Sequence, residues 1–467
     1  MNMQDQSAPL AVQTAGLERG DKSSAAAEPN TSASVGQSHF AARIARTSLD
    51  TGATLLVLEN HATPTLALRA SLRAGSYFEP PAQPGLARLT ADMLARGTRR
   101  RTKLQLAGDL EAVGAELDFE TDPFALNIVG RALAKDMPLL VATLAEELRE
   151  PSFPADELAK LKQQTIAAIL EQQANTRTRA YERLTQLIFD PANPFYQHAG
   201  DALINSINAI TTTDVRRFYE ERYGGRSLIV AAAGAVEVAA ATEVFGAAFG
   251  AFAGPERVDV AVTDPAQAAA TRREIVLLAD KANVDILLGS AAPLRRDAAD
   301  YYAALLANSA LGESTLSSRL GLQVRDREGL TYGIGSRFRA PSLAAGPWYI
   351  TVSVNPQNVE QAINSALQVL RDYVADGIRE DELADEKSAA IGAFKVALST
   401  NAGLAAALWN AEFYQLGTDY VDRYPQLIEA VTRAEVNAAI RKYFRPEQLT
   451  IVIAGDYREA NAHAPNV

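Results

Sequence analysis

Short apolar runs alternate with longer amphipathic stretches along most of the chain. Residues 55–58 (LLVL) are continuously apolar and residues 65–72 (TLALRASL) alternate apolar with polar or small side chains, so both are predicted to be strands. Apolar residues at three- and four-residue spacing predict helices at 85–95, 104–113, 136–149 and 155–175. Strands and helices therefore alternate, and the pattern predicts an α+β fold.

The chain also repeats itself. Residues 213–234 and 434–455 match at a constant separation of 221 residues, with Val215 on Val436 and Gly234 on Gly455. Both segments predict an amphipathic helix, a turn and a buried strand that ends at glycine.

Two glycine pairs form a second match. Gly97 and Gly114 correspond to Gly312 and Gly329 at a separation of 215 residues, and modest loop insertions would explain the difference between the two separations. These matches indicate duplication, although two unrelated strand-and-helix domains could also produce them.

Glycine and proline mark a linker between the two copies, at Gly254-Pro255 and Asp264-Pro265. We predict two similar α/β domains, each with helices packed on a mixed or antiparallel sheet, that face each other across a cavity. The predicted divisions are an N-terminal mobile tail, a first domain, a linker, a second domain and a C-terminal tail at 1–42, 43–250, 251–272, 273–460 and 461–467.

Composition and charge exclude several classes of function. The 467 residues are 48% apolar and 22% charged, with a net charge of −11, so a nucleic-acid partner is not expected. The basic stretch 96–103 contains no aromatic residue that could stack on bases.

Cysteine is absent, which removes disulfides, thiolate catalysis and thiolate-bound metal. No stretch has the roughly 20 apolar residues that span a bilayer, so membrane insertion is not expected. No signal peptide is visible, and a soluble protein of either the cytoplasm or the periplasm fits the sequence.

Residues 72–98 read LRAGSYFEPPAQPGLARLTADMLARGT. This stretch resembles the start of the pitrilysin/insulinase family of zinc peptidases, R-x-G-S … E-P … G-L-A-H-x-x-E-H-M-x-x-x-G-T. The matching residues are Arg73, Gly75, Ser76, Glu79, Pro80, Gly85, Leu86, Ala87, Met93, Gly97 and Thr98.

The resemblance fails at the three residues that carry the chemistry. In the family, two histidines four apart on one helix bind zinc, and the glutamate of H-x-x-E-H acts as the base. Here these positions hold Arg88, Ala91 and Asp92. Neither a guanidinium nor an alanine can replace those groups, and Asp92 is expected to pair with Arg88 instead. The family's third ligand would fall near Ala168.

The second half keeps a different family motif. Residues 311–335 read LGESTLSSRLGLQVRDREGLTYGIG, similar to the family pattern S-R-L-x-x-x-x-R-x-x-x-G-L-x-Y. The matching residues are Ser318, Arg319, Leu320, Arg325, Gly329, Leu330 and Tyr332. We predict that Gly329 ends a helix, so that Tyr332 enters the following strand.

The resemblance implies a role for Arg325 and Tyr332 as hydrogen-bond donors to the substrate carbonyl. Such donors stabilise the negative charge that develops on a carbonyl oxygen under attack. The alternative is that Arg325 packs against a carboxylate and Tyr332 fills a domain core.

Three functions remain open from the sequence. The first is the zinc-free subunit of a heterodimeric metallopeptidase of unfolded peptides, with no metal in this chain and with zinc in a homologous partner that keeps H-x-x-E-H. The second is a non-catalytic structural or assembly subunit of the same fold. The third is an unrelated peptide-binding or carrier protein. Under the first, this chain alone hydrolyses no peptide.

Overall fold

The computed structural model describes residues 40–266, 268–339 and 342–458, and two β-sheets with flanking helices account for most of them. The strands are β1 (Ile44–Ser48), β2 (Thr54–Glu59), β3 (Thr65–Leu72), β4 (Glu116–Thr121), β5 (Leu126–Leu133), β6 (Ile229–Gly234), β7 (Arg272–Leu277), β8 (Val284–Ala291), β9 (Ile334–Phe338), β10 (Pro347–Val354) and β11 (Thr450–Gly455).

The helices lie between these strands in both halves. They are α1 (Leu86–Leu94), α2 (Lys103–Glu111), α3 (Met137–Arg149), α4 (Ala155–Gln173), α5 (Thr176–Ile188), α6 (Gly200–Ala209), α7 (Thr212–Arg222), α8 (Val238–Phe249), α9 (Tyr301–Asn308), α10 (Val359–Asp376), α11 (Glu380–Ala397), α12 (Asn401–Phe413), α13 (Tyr420–Glu429) and α14 (Arg433–Tyr443). The predicted α+β fold is confirmed, and so are the two strands and four helices predicted in the first half.

The two sheets share one topology. The first has the order β1-β2-β6-β3-β5-β4 and the second the order β7-β11-β8-β10-β9. Each sheet contains one parallel pair, β2 with β6 and β7 with β11, and its other neighbouring strands are antiparallel. The sheets are therefore mixed, as predicted, and β1 is an additional strand at the edge of the first.

The repeated helix-turn-strand segments adopt the same structure. Helices α7 and α14 each begin with a capping box, Thr211 with Asp214 and Thr432 with Glu435, which satisfies backbone N–H groups of the first turn. The following strands end at Gly234 (φ 158°) and Gly455 (φ 150°). This correspondence agrees with duplication.

Of the two glycine pairs that match at a separation of 215 residues, only one has the same backbone conformation in both halves. Gly114 and Gly329 have nearly equal positive φ angles of 65° and 63°. Gly97 has φ 132°, whereas Gly312 is extended with φ −166°. The two copies therefore diverge where helix α9 continues into a kinked turn.

The two halves exchange helices. Helix α5 of the first half packs on β8 and β11, and α12 of the second half packs on β3 and β6. The helices that precede the exchanged ones, α4 and α11, carry the same tetrapeptide DELA at 156–159 and 381–384. Each sheet thus has one face covered by a helix from the other half.

Polar contacts anchor both exchanged helices. The Thr176 hydroxyl of α5 donates to Asp285 Oδ2 at 2.5 Å, and the Trp409 indole of α12 donates to Ser71 Oγ at 2.8 Å. Because the donor and the acceptor of each bond lie in different halves of the chain, the contacts hold the two halves together.

The linker also contacts both halves. The Tyr77 hydroxyl donates to the carbonyl of Ala261 at 3.1 Å, and Arg295 Nη2 donates to Asp264 Oδ1 at 2.6 Å. The domain boundaries and the cavity between the halves stay predictions.

At the N-terminus the structure corrects the predicted tail. The tail was expected to include residues 40–42, but Phe40–Arg43 form a 3₁₀ helix whose first N–H groups donate to the Asp422 carboxylate at 2.9 Å. Residues 1–39 and the predicted C-terminal tail lie outside the described residues.

None of the described helices is by itself long and apolar enough to cross a membrane. The pair α11–α12, which is bent by 112°, passes that test by length and composition only.

Candidate functional site

Helix α1 carries the three positions that correspond to the zinc motif. Arg88 Nε lies 3.7 Å from Asp92 Oδ2, so the predicted i, i+4 ion pair is confirmed. Burial raises the pKa of Asp92, and the positive charges of Arg88 and Arg96 oppose that shift. Ala91 is only 1% exposed and belongs to the first core. These residues do not fit a zinc ion, because one carboxylate is the single ligand among them.

The helix that would carry the third ligand lies against α1. Arg96, which follows the end of α1, donates hydrogen bonds to two residues of α4, to Gln164 at 3.0 Å and to Glu157 at 3.3 Å. Ala168 is half-buried on α4, and Glu171 is exposed. Across the described ranges, no group of three or more His, Asp or Glu side chains could hold a metal ion.

The family residues around α1 have architectural contacts. Both carboxylate oxygens of Glu79 accept from the Gly85 N–H at 3.1 Å, and one accepts from the Ala87 N–H at 2.7 Å. These bonds cap the helix, although burial still raises the pKa of Glu79 to about 7. Gly85 has φ 95°, a conformation that glycine adopts without strain. The retained residues therefore maintain the fold even where the zinc motif is lost.

Arg73, at the end of β3, contacts the exchanged helix. Its guanidinium lies 4.4 Å from the centre of the Phe413 ring, and the residue is 8% exposed. Burial lowers its pKa to about 10. A cation on an aromatic face is a favourable contact, so Arg73 attaches α12 to the first sheet.

The basic stretch after α1 is largely neutralised. Arg100 and Arg101 pair with Glu150 and Glu146 at 2.7 and 2.8 Å. These pairs reduce the charge that is available to bind phosphate.

In the second half, Arg319 of the S-R-L sequence is a structural residue. It donates to both oxygens of Glu382 at 2.8 and 2.6 Å and to the carbonyl of Gly377 at 3.0 Å. Its guanidinium also lies 4.3 Å from the ring centre of Tyr373. Arg319 thus joins the start of the motif to helices α10 and α11.

Arg325 lies in a wide helical turn, Gly321–Arg327, of the π type. Its Nη1 donates to Asp326 Oδ1 at 2.6 Å, and both side chains are partly exposed. Such turns are rare and occur often at functional sites.

Gly329 ends this turn, as predicted. It has φ 63°, and the next residue, Leu330, donates its N–H to the carbonyl of Val324 at 3.1 Å. The prediction that Tyr332 enters the strand is wrong, because β9 begins at Ile334. Tyr332 lies in the short turn before the strand.

Tyr332 is 100% exposed. No hydrogen bond connects its hydroxyl to any described residue, and no described contact joins it to Arg325. The alternative that Tyr332 fills a domain core is therefore wrong. Both side chains can reach a molecule outside the chain, and both can donate hydrogen bonds.

Comparison with known proteins identifies the family of the chain. Residues 55–194 match the family described as "Insulinase (Peptidase family M16)", and residues 209–390 match "Peptidase M16 inactive domain". Together the matches cover more than half of the chain. The chain belongs to peptidase family M16.

Similar M16 proteins come from several bacteria. A Streptomyces coelicolor protein named "Uncharacterized zinc protease" is 26% identical over 79% of this chain and 80% of the relative. A Helicobacter pylori protein named "Non-peptidase homolog YmxG" is 22% identical over 86% of this chain and 91% of the relative.

A solved structure has the same M16 architecture. The peptidase M16 inactive domain from Pseudomonas fluorescens is 27% identical, with a TM-score of 0.80 over 88% of this chain and 97% of that structure. Together with the family match to the inactive domain and the name of the Helicobacter pylori relative, this supports a non-catalytic protein with the M16 fold.

The sequence patterns do not identify two residues that contact the second motif or lie in it. Thr331 attaches the turn that contains Tyr332 to the carbonyl of Ser353, and Glu382 accepts hydrogen bonds from Arg319. A threonine after a helix-ending glycine is a weak signal for a turn that its side chain stabilises. No local pattern connects Glu382 to Arg319, because 63 residues separate them.

Proposed function

We propose that this M16 chain is the zinc-free subunit of a heterodimeric zinc metallopeptidase. A homologous partner with an intact H-x-x-E-H motif supplies the zinc and the base, and Arg325 and Tyr332 donate hydrogen bonds to the substrate carbonyl. The substrates are unfolded peptides that fit an enclosed chamber.

The exposure of Tyr332 carries the proposal. A tyrosine that stabilises its own fold buries its ring or hydrogen-bonds its hydroxyl, and Tyr332 does neither among the described residues. Its position in a turn after the Arg325 segment leaves the hydroxyl available to a ligand. A carbonyl oxygen that gains negative charge is a suitable acceptor.

The lost zinc motif supports the division of labour between two chains. Arg88 and Asp92 pair with each other and Ala91 is buried, so these three positions offer neither a set of zinc ligands nor a base. The second half keeps its donors, which have no role in hydrolysis unless a metal centre comes from another chain.

A structural subunit of the same fold is the second candidate. The observation that favours it is that other residues of the family pattern, such as Glu79, Arg73 and Arg319, make contacts that stabilise the fold. Those contacts would persist in a scaffold. They do not explain Tyr332, which contributes no described contact.

The test is Tyr332→Phe in the complex with a copurifying chain that carries H-x-x-E-H. Loss of one oxyanion donor is expected to lower turnover about 10²-fold with little change in KM. Turnover of a fluorogenic peptide measures the effect, and size-exclusion chromatography verifies assembly.

Tyr196→Phe is the matched control, because its ring contacts His198 and its hydroxyl has no described hydrogen bond. This control should keep full turnover. If Tyr332→Phe also keeps it, the structural subunit becomes the better description.

A further inference from the structure

The turn that presents Tyr332 is held by one neighbouring hydroxyl. Thr331 Oγ1 lies 2.7 Å from the carbonyl oxygen of Ser353 and accepts the N–H of Gly333 at 3.1 Å. Its distance to the Gly333 carbonyl is 3.0 Å. Since a hydroxyl has one proton, the shorter contact identifies Ser353 as its main acceptor.

The hydrogen bond from Thr331 to Ser353 lies just beyond the end of a strand pairing. The ladder between β9 and β10 ends at the pair Ile334 and Val352, so Ser353 is the next residue of β10. The Thr331 hydroxyl thus continues the attachment of the turn to the sheet beyond the last backbone pair.

Buried residues hold the two ends of the same turn. Leu330 is 9% exposed and Ile334 is 2% exposed, and both belong to the second core. Between them the backbone of Tyr332 has no side-chain anchor of its own, because its ring is in solvent. Thr331 therefore supplies the polar attachment at the centre of the turn.

We infer that Thr331 is a positioning residue that fixes the location of the Tyr332 hydroxyl. This inference rests on the proposed function of Tyr332. A donor contributes most when it is already placed before the charge develops, since no reorganisation is then needed. The Thr331 contacts restrict the backbone from which Tyr332 projects and so reduce the spread of positions of its hydroxyl.

The first experiment uses the isolated chain. Thr331→Val keeps the shape of the side chain but removes the acceptor of the Gly333 N–H. Hydrogen exchange of the Gly333 amide should become at least several-fold faster in this variant, and Thr331→Ser should restore slow exchange. Unchanged exchange in Thr331→Val would overturn the inference.

The second experiment uses the complex with the H-x-x-E-H chain. Thr331→Val should lower kcat about 10-fold with KM nearly unchanged, because small displacements of a catalytic group are costly. The same substitution in a Tyr332→Phe background should have no further effect, and Thr331→Ser should keep most of the activity.

Comparison of the two single variants with the double variant distinguishes the possible results. An equal loss of kcat in both backgrounds would mean that Thr331 acts on the fold in general, and the inference would be wrong. If Tyr332→Phe is impaired but Thr331→Val is fully active, the inference fails and the proposed function stands. If Tyr332→Phe itself is fully active, both fail.

Discussion

Helix α1 and the segment 318–332 differ in how they use the residues of their motifs. On α1 the side chains at the zinc-motif positions are satisfied within the chain, since Arg88 pairs with Asp92 and Ala91 lies in the core. In the second segment Arg319 is fully engaged, whereas Tyr332 projects into solvent. The zinc-motif positions are thus occupied by side chains that contact each other or the core, whereas the Tyr332 side chain remains available to a molecule outside the chain.

This difference separates two reasons for keeping a motif residue. Glu79 and Arg319 lie in recognisable family patterns, yet each binds other parts of the chain. A family pattern alone therefore cannot identify a catalytic side chain. Exposure together with the absence of described contacts is what distinguishes Tyr332.

The largest expected effect on stability is at Ala91, the buried position of the former zinc motif. Ala91→Glu places a carboxyl in the first core without a partner, and we expect it to reduce the free energy of unfolding by about 3 kcal/mol or more. Urea denaturation of the isolated chain measures this loss. Arg88→His, on the exposed side of the same helix, should change it by less than about 0.5 kcal/mol.

The triple variant Arg88→His, Ala91→Glu, Asp92→His extends this test. It should bind zinc only weakly, because Ala168 cannot replace the third ligand and the residues that orient metal-bound histidines are absent from the motif. Tight zinc binding by a stably folded triple variant would show that this part of α1 can still accommodate a metal ion, and it would contradict the difference drawn between α1 and the segment 318–332.

An intermediate effect should distinguish the two arginines of the second motif. Arg319→Ala removes the partner of Glu382 and the contact with Tyr373, and should cost about 2–3 kcal/mol of unfolding free energy. Arg325→Ala should cost less than about 0.5 kcal/mol, because its one described ion pair is partly exposed. Equal losses in the two variants would contradict the division between structural and available residues.

The smallest effect is expected at Arg88. Arg88→Ala should lower stability at pH 7 by no more than about 0.5 kcal/mol, because the ion pair is long and Arg88 is half exposed to solvent. It should also raise the pKa of Asp92 further, since Arg88 opposes the effect of burial.

The sign of the pH dependence follows from the raised pKa of Asp92. Ionisation of this carboxyl in the folded chain is less favourable than in the unfolded chain, so its contribution to stability falls as the pH rises. The difference between wild type and Arg88→Ala should therefore disappear at low pH, where Asp92 is protonated. Carboxyl NMR titration tests the pKa, and a persistent difference at low pH would mean that Arg88 acts through packing.

Local patterns were sufficient to predict many elements. The alternation at 65–72 and the apolar spacing at 136–149 correspond to β3 and α3. The glycine pattern predicts the end of the helical segment at Gly329 correctly, but it places the start of β9 too early, at Tyr332 instead of Ile334. Strand ends depend on cross-strand partners, and the pairing of Ile334 with Val352 is not encoded in the turn itself.

The sequence by itself determined the loss of the metal site, because no arrangement of Arg88, Ala91 and Asp92 supplies the ligands and base of H-x-x-E-H. It also determined the duplicated α+β plan through repeated local patterns. Only the tertiary structure decided that α5 and α12 exchange sheets and that Tyr332 stays exposed. The physical reason is that exposure and helix exchange depend on contacts between residues far apart in the chain, whereas ligand chemistry and periodicity belong to the residues themselves.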